Sequence, residues 1–320
     1  MSRDTLRHLL HLLIDDECSL KEILQDDCPS RFSEIRWHEK AADMIEAASK
    51  DPSGIFVMNY PGLLKSASEL EKLSILSKNV IILSNDDIHR IIGLLHQHKA
   101  LSHICNFSGR FNVYQFLLTL EKTACNSKWA FSRYLSEPRE IYHIDVDSFD
   151  GKYAFLSDIS SCAARAGGFS GLSDAVTTIA SELLMNAVFN APYDEILKKP
   201  RYADSPRNGK INLDPREKVE LNYGYDGNAF VISVVDRFGR LTRENVVDNL
   251  YRCLQGGENQ IKRETKGAGA GFFMIANTAS QLDIHIDPLK RCEVAALIHL
   301  SKRQINYDLG HTSFNFFKIG

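Results

Sequence analysis

"SELLMNAVFNAP" (181–192) decides how the carboxy-terminal half of this 320-residue chain folds. Glu182, Asn186 and Asn190 recur at steps of four, while Leu183, Leu184, Ala187 and Val188 suit a packed helix. Each step of four on an α-helix returns to within about 40° of the same face, so the three polar side chains make one stripe. Asparagine is a poor helix former because its amide competes for backbone hydrogen bonds. Two asparagines in register therefore ask for a reason beyond helix formation. A neutral amide oxygen is a hard ligand for a divalent ion and adds no negative charge beside phosphates. A carboxylate on the same face can hold and polarise a water or a hydroxyl. Standing alone, the stripe would read as a solvated helix face.

Working outward, the spacing predicts a helix over 174–190, stopped by Pro192. Upstream, "EIYHIDVDS" (140–148) reads as a strand and "KYAFLSDISSCAARAGG" (152–168) as a helix closed by two glycines. Downstream, a long polar stretch (193–215) leads to two strands, "EKVELNYGY" (217–225) and "NAFVISVVD" (228–236). Asp226-Gly227 between them is a strong hairpin signal. "ENVVDNLYRCLQ" (244–255) reads as a helix and "GGENQIKRETKGAGAG" (256–271) as a charged, glycine-rich loop. "FFMIANTASQ" (272–281) is a further helix, and "LDIHID" (282–287) with "CEVAALIHL" (292–300) a final hairpin. This half is α+β with antiparallel strands.

Two other stretches carry chemistry. In "VVDRFGRL" (234–241), Asp236 ends an apolar strand and Gly239 follows in the turn. A carboxylate at a strand end can accept a hydrogen bond from an adenine amino group. In "KGAGAGFFMI" (266–275), Gly267, Gly269 and Gly271 alternate ahead of a helix. Glycines let backbone approach phosphates, and a helix N-terminus offers free N–H groups and a favourable dipole. The run does not follow a strand directly, so it fails the context test for a dinucleotide fingerprint.

In this order the three stretches resemble the GHKL superfamily, which holds gyrase, mismatch-repair ATPases, the ATPase domain of histidine kinases and anti-sigma serine kinases. "ELLMNAVFN" (182–190) is similar to its N box, "VVDRFG" (234–239) to its G1 box and "KGAGAGFF" (266–273) to its G2 box. The resemblance covers roughly Arg139 to Arg303. It implies a Bergerat-type α+β sandwich, a mixed sheet with helices on one face, that binds ATP and Mg²⁺ under a mobile lid at about 255–266. By resemblance Asn186 would hold the metal, with Asn190 beside it. Asp236 would read adenine in the turn of Gly239. Lys266, Gly267, Gly269 and Gly271 would face the phosphates, and Glu182 would be the catalytic acid-base position. Phe238 and Arg240 depart from the family's Asp-x-Gly-x-Gly pattern, and "KRCEV" (290–294) departs from its Gly-Gly-Thr turn.

The amino-terminal half alternates apolar runs with helical patterns. "GIFVMNYP" (54–61) and "NVIILS" (79–84) read as buried strands, "HICNFSG" (103–109) as a third and "EIRWH" (34–38) as a further one. Helices are expected over 39–50, 62–78, 85–98 with an N-cap at Asn85 or Asp86, and 111–124. Apolar strands alternating with helices imply an α/β domain with a parallel sheet covered on both faces. His8 and His11 fall in an amphipathic segment read as a helix. The alternation resembles a two-component receiver domain. That family's acceptor aspartate would fall near Val57, where Asn59 is the nearest polar residue, and Ser84 would match its switch hydroxyl. A phosphorylation-incompetent domain acting by docking is the expectation.

The domains are therefore expected at 1–130 and 138–304, with a tail at 305–320. The seven cysteines form no CxxC pair, which argues against a disulfide framework or a zinc site. The opening residues lack a signal-peptide core, and no apolar run has transmembrane length. A net charge of -3 offers no footprint for nucleic acid or an anionic membrane. The expectation is a cytoplasmic signalling protein with a protein partner, such as a signalling regulator or a sigma/anti-sigma-type factor. A homodimer remains open. Two functions stand: an ATP-dependent protein serine kinase or partner switch, and a non-catalytic docking module. An intact Glu182/Asn186 pair favours the first, Phe238 and Arg240 the second.

Overall fold

The computed structural model describes residues 8–14, 24, 32–59, 67–106, 113–125, 130–207, 209–255, 270–300 and 312–319. The chain divides into two compact units, one of residues 1–127 with 313–317, the other of 128–312 with 318–320. Parallel and antiparallel strands both occur, with eight α-helices among the described residues. The described cysteines Cys105, Cys162, Cys253 and Cys292 are buried free thiols. No described helix is long and apolar enough to cross a membrane.

The first unit is built on strands β1 (His8–Leu13), β2 (Phe32–Trp37), β3 (Ile55–Asn59), β4 (Val80–Ser84) and β5 (His103–Asn106), all parallel in the order β2-β1-β3-β4-β5. The last strand among the described residues, β13 (Ser313–Lys318), runs antiparallel to β5. Helices α1 (Ala41–Lys50), α2 (Ala67–Leu76) and α3 (Ile88–Gln97) connect successive strands, and α4 (Val113–Cys125) follows β5. The order 2-1-3-4-5 is one of the two common doubly wound arrangements. β3 and β4 are buried along nearly their whole length, as expected for apolar strands covered on both faces. Leu10, Leu12, Ile55, Val57, Ile81, Leu83, Phe116 and Leu120 form one core cluster.

Three expectations are corrected by this arrangement. His8 and His11 lie on β1, not on a helix. Their three-residue spacing mimics helical periodicity, but the apolar run around them is strand-length, where period alone does not decide. His11 is buried, stacked between the rings of His38 and Phe56 at 5.2 and 4.7 Å. The N-cap of α3 is Asp87, whose carboxylate accepts from Arg90 N at 3.0 Å. Asp86 instead accepts from the Ser84 hydroxyl at 3.1 Å, which draws it back towards the strand end. The stretch at 305–320 is also more than a tail, since it contains β13.

The second unit is an antiparallel sheet of β6 (Glu140–Val146), β9 (Val219–Tyr225), β10 (Ala229–Asp236), β11 (Gln281–Asp287) and β12 (Arg291–His299), ordered β11-β12-β10-β9-β6. A two-stranded ribbon of β7 (Tyr193–Asp194) and β8 (Lys199–Pro200) stands apart. The hairpin turn between β9 and β10 is fixed by Asp226, whose Oδ1 accepts from Asn228 N at 2.6 Å and Ala229 N at 2.8 Å. Four helices complete the unit: α5 (Lys152–Ala166), α6 (Leu172–Phe189), α7 (Arg243–Gln255) and α8 (Ala270–Thr278). α6 packs on β9 and β10, with α5 beside it, and α8 lies between α6 and α7. Leu172, Val176, Ile179, Ala180, Leu183, Leu184, Ala187 and Val188 of α6 are all buried. Their i, i+4, i+7, i+8 recurrence explains why this segment is helical and which faces it buries.

Candidate functional site

α6 presents the stripe read from the sequence. Asn190, the C-cap, donates its Nδ2 to Asn186 Oδ1 at 3.0 Å, and its backbone N–H reaches Asn186 O at 3.1 Å. Asn186 Nδ2 is buried and meets no acceptor among the described residues. Such an unmade bond costs about 1–3 kcal/mol of desolvation, which singles this donor out among the polar groups of α6.

Gly271, in the first turn of α8, faces this stripe. A β-carbon built on it would collide with Glu182 Oε2 and lie 3.7 Å from Asn186 Nδ2. With a hydrogen in place of a side chain, the start of α8 lies close to Glu182 and Asn186, and a larger residue would require the Glu182 carboxylate to move. The spacing of the polar stripe and the position of this glycine, some eighty residues apart, thus meet at one place. Lys266, Gly267 and Gly269, and the expected lid beyond Gln255, lie outside the described residues.

Two cations attend the same helix. Phe189 lies seven residues after Glu182, two helical turns along the same face. Its ring meets Phe149 edge-on at 5.2 Å. Arg207 Cζ sits 4.4 Å over the Phe189 ring and Lys152 Nζ 5.4 Å over the Phe149 ring. Burial lowers the pKa of both cations, and the charge of Glu182 pulls each back up. Sequence reasoning missed Phe149, Lys152 and Arg207. They lie 33, 30 and 25 positions from Glu182, and no local pattern links them to it. The signal that was available was Phe189, in register with the stripe.

Asp236 ends β10, the strand on which α6 packs. Its Oδ1 accepts from the N–H of Phe238 at 2.8 Å and of Gly239 at 3.1 Å. Burial pushes its pKa up to about 6, against the pull of those two N–H groups and of Arg291. Gly239 has φ +58° and is pressed against the β11–β12 turn, where a β-carbon would collide with Asp287 O. Leu289 N donates to Gly239 O at 3.1 Å. No hydrogen bond or ion pair among the described residues joins this turn to the α6 stripe.

Phe238 and Arg240 point to separate neighbours. Phe238 lines a cavity of about 410 Å³ with Arg201, Asp214, Pro215, Arg216 and Glu217. Arg240 bonds Glu195 at 2.8 Å and stacks its guanidinium 3.6 Å over the Tyr193 ring, tying the turn to the ribbon that follows α6. Among the described residues no three His, Cys, Asp or Glu side chains converge as a metal centre. In the first unit, Asn59 ends β3 and Ser84 ends β4, and Val57 is buried in the core. Set against known proteins, the chain matches no family model and no curated sequence.

Proposed function

We propose that the second unit binds Mg-ATP as the histidine kinase-like ATPases do, and acts as a kinase of, or nucleotide-dependent switch for, a protein partner. The observation that carries this reading is the approach of Gly271 to Glu182 and Asn186. A helix entry pressed close to a carboxylate, beside an Asn186 Nδ2 donor that meets no acceptor among the described residues, suits a phosphate oxygen better than it suits a packed core. With no cluster of acids at hand among the described residues, an ion here would rely on phosphate oxygens and on Asn186 Oδ1, which would exchange its bond from Asn190 Nδ2 for the ion. The ion would offset phosphate charge. Glu182 would hold a hydroxyl of the partner and take its proton. Asp236, with a pKa of about 6, is ionised at neutral pH. Its Oδ1 is occupied by the turn, which leaves Oδ2 for an adenine amino group.

The first unit fits a receiver-like docking domain. Its 2-1-3-4-5 strand order, common among doubly wound sheets, supports this reading, and the residue ending β3 is Asn59, an amide that cannot accept a phosphoryl group as a carboxylate does. The second reading, a docking module without turnover, draws on Arg240, which is fixed on Tyr193 and Glu195 beside the Asp236 turn.

A thermal-shift measurement with ATP and ADP, with and without magnesium, tests the proposal. Ligand at a hundred times its dissociation constant adds about 2.7 kcal/mol, and a unit of this size gains roughly 5–10 °C in midpoint. Asn186→Ala removes the magnesium-dependent part of the gain. No shift with any nucleotide overturns nucleotide binding and leaves the docking module.

A further inference from the structure

We infer that Lys152 and Arg207, seated on the two rings of the Phe149–Phe189 pair, form a cationic clamp for the terminal phosphate, so that the site discriminates a triphosphate from a diphosphate. The clamp rests on the nucleotide reading above.

What sets these two cations apart is that each is partly buried on an aromatic ring and has no carboxylate partner among the described residues. In the same unit Arg165, Arg201, Arg237, Arg240 and Arg291 each have a carboxylate within 4 Å. Among the described residues Arg207 and Lys152 have none, and no hydrogen bond there spends their donors. A half-buried cation is normally paired, because desolvation disfavours the charged form. These two have instead a ring apiece, whose face attracts a cation. A ring face holds a cation in place and leaves its N–H groups unspent. Five N–H groups on Arg207 and three on Lys152 therefore remain for an acceptor-rich anion.

The position follows from the helix. The rings stand on the side of α6 that carries Glu182 and Asn186, and the field of Glu182 reaches both cations. One carboxylate against two cations leaves a net positive charge. The acid-base residue stands by the phosphate that is transferred, so a clamp gathered around it meets the terminal phosphate rather than the first. The competing account is that the two side chains merely cover the rings. It predicts a loss of stability on substitution and no change in nucleotide preference.

The test uses the full chain with Lys152→Met, Arg207→Met, the double variant and Arg207→Lys. Methionine keeps an apolar stem on the ring and removes the charge. Calorimetry with ATP and with ADP, both with magnesium, reads the affinity ratio. The unsubstituted protein prefers ATP. The double variant loses ~10-fold or more of its ATP affinity while its ADP affinity stays within about threefold, and Arg207→Lys recovers part of the loss. A double variant with an unchanged ATP/ADP ratio overturns the clamp and leaves the nucleotide reading standing. An unsubstituted protein that binds neither nucleotide overturns both.

Discussion

Asp236 ends its strand in a place that penalises its own charge. Its pKa rises from 3.8 to about 6, because burial outweighs the two backbone N–H bonds and the charge of Arg291. Between those values the folded chain keeps a proton that the unfolded chain has lost. Its contribution to stability is therefore greatest below pH 4, falls as the pH climbs to 6, and is constant above. A rise of that size corresponds to up to about 3 kcal/mol. Asp236→Asn keeps an oxygen for Phe238 and Gly239 and removes the ionisation. The variant should be more stable than the parent at pH 8 by up to about 3 kcal/mol, with the gap closing near pH 4. Urea unfolding at the two pH values measures this, and a variant less stable at pH 8 contradicts the burial argument. The adenine-reading role proposed for Asp236 would give such a self-destabilising side chain a reason, since function and stability compete at binding positions.

Two glycines show how element contacts differ from residue identity. At Gly239 a β-carbon meets backbone atoms of the β11–β12 turn, Asp287 O and the N–H groups of Lys290 and Arg291, from a φ of +58°. Neither the backbone nor the turn can give way. Gly239→Ala should lose on the order of 3 kcal/mol from overpacking and left-handed strain together. At Gly271 the first atom met is the far end of the Glu182 side chain, which can swing aside. There alanine also gains about 1 kcal/mol of helix propensity, so stability should stay within about 1 kcal/mol of the parent while Glu182 moves. Thermal or urea unfolding of the two variants checks the contrast, and equal losses would mean that Glu182 is as rigid as a turn. The same distinction governs what the sequence reveals about its elements. The α6 stripe is local, three residues on one helix, and was legible from spacing alone. The β9–β10 hairpin was legible from Asp226-Gly227, because turn chemistry sits in the turn. β1 was not, because six residues of His and Leu carry both periods. The Lys152 and Arg207 pair was not, because its two members reach α6 from different segments of the chain.

At the scale of the molecule, the least legible feature is β13. Its residues lie 207 positions from the strand they complete, as the bond from Asn106 N to Ser313 Oγ at 2.8 Å shows. No local pattern announces a strand whose partner lies some two hundred residues earlier, and six residues after a long interval read as a tail. Within the first unit β13 covers the open edge of β5, pairing Phe314 with Ile104 and Asn315 with His103. It adds a bond from Phe316 N to Ser102 O at 2.9 Å and one from Asn315 Nδ2 to Thr119 Oγ1 on α4. Phe314 is fully buried. The sheet of the first unit is therefore not complete until residues 313–318 have joined it, and this long-range pairing slows its folding. Phe314→Ala removes a ring and leaves a cavity, at a cost of about 3–5 kcal/mol. That is a large part of the stability of a domain. Hydrogen exchange is the right probe, because it reads stability segment by segment. Amides of β5 and α4 should exchange at least ~100-fold faster in the variant, and a chain ended at Thr312 should show the same pattern more strongly. Unchanged protection in β5 would mean that the edge strand holds without its distant neighbour, and that β13 is an ornament on the sheet rather than part of it.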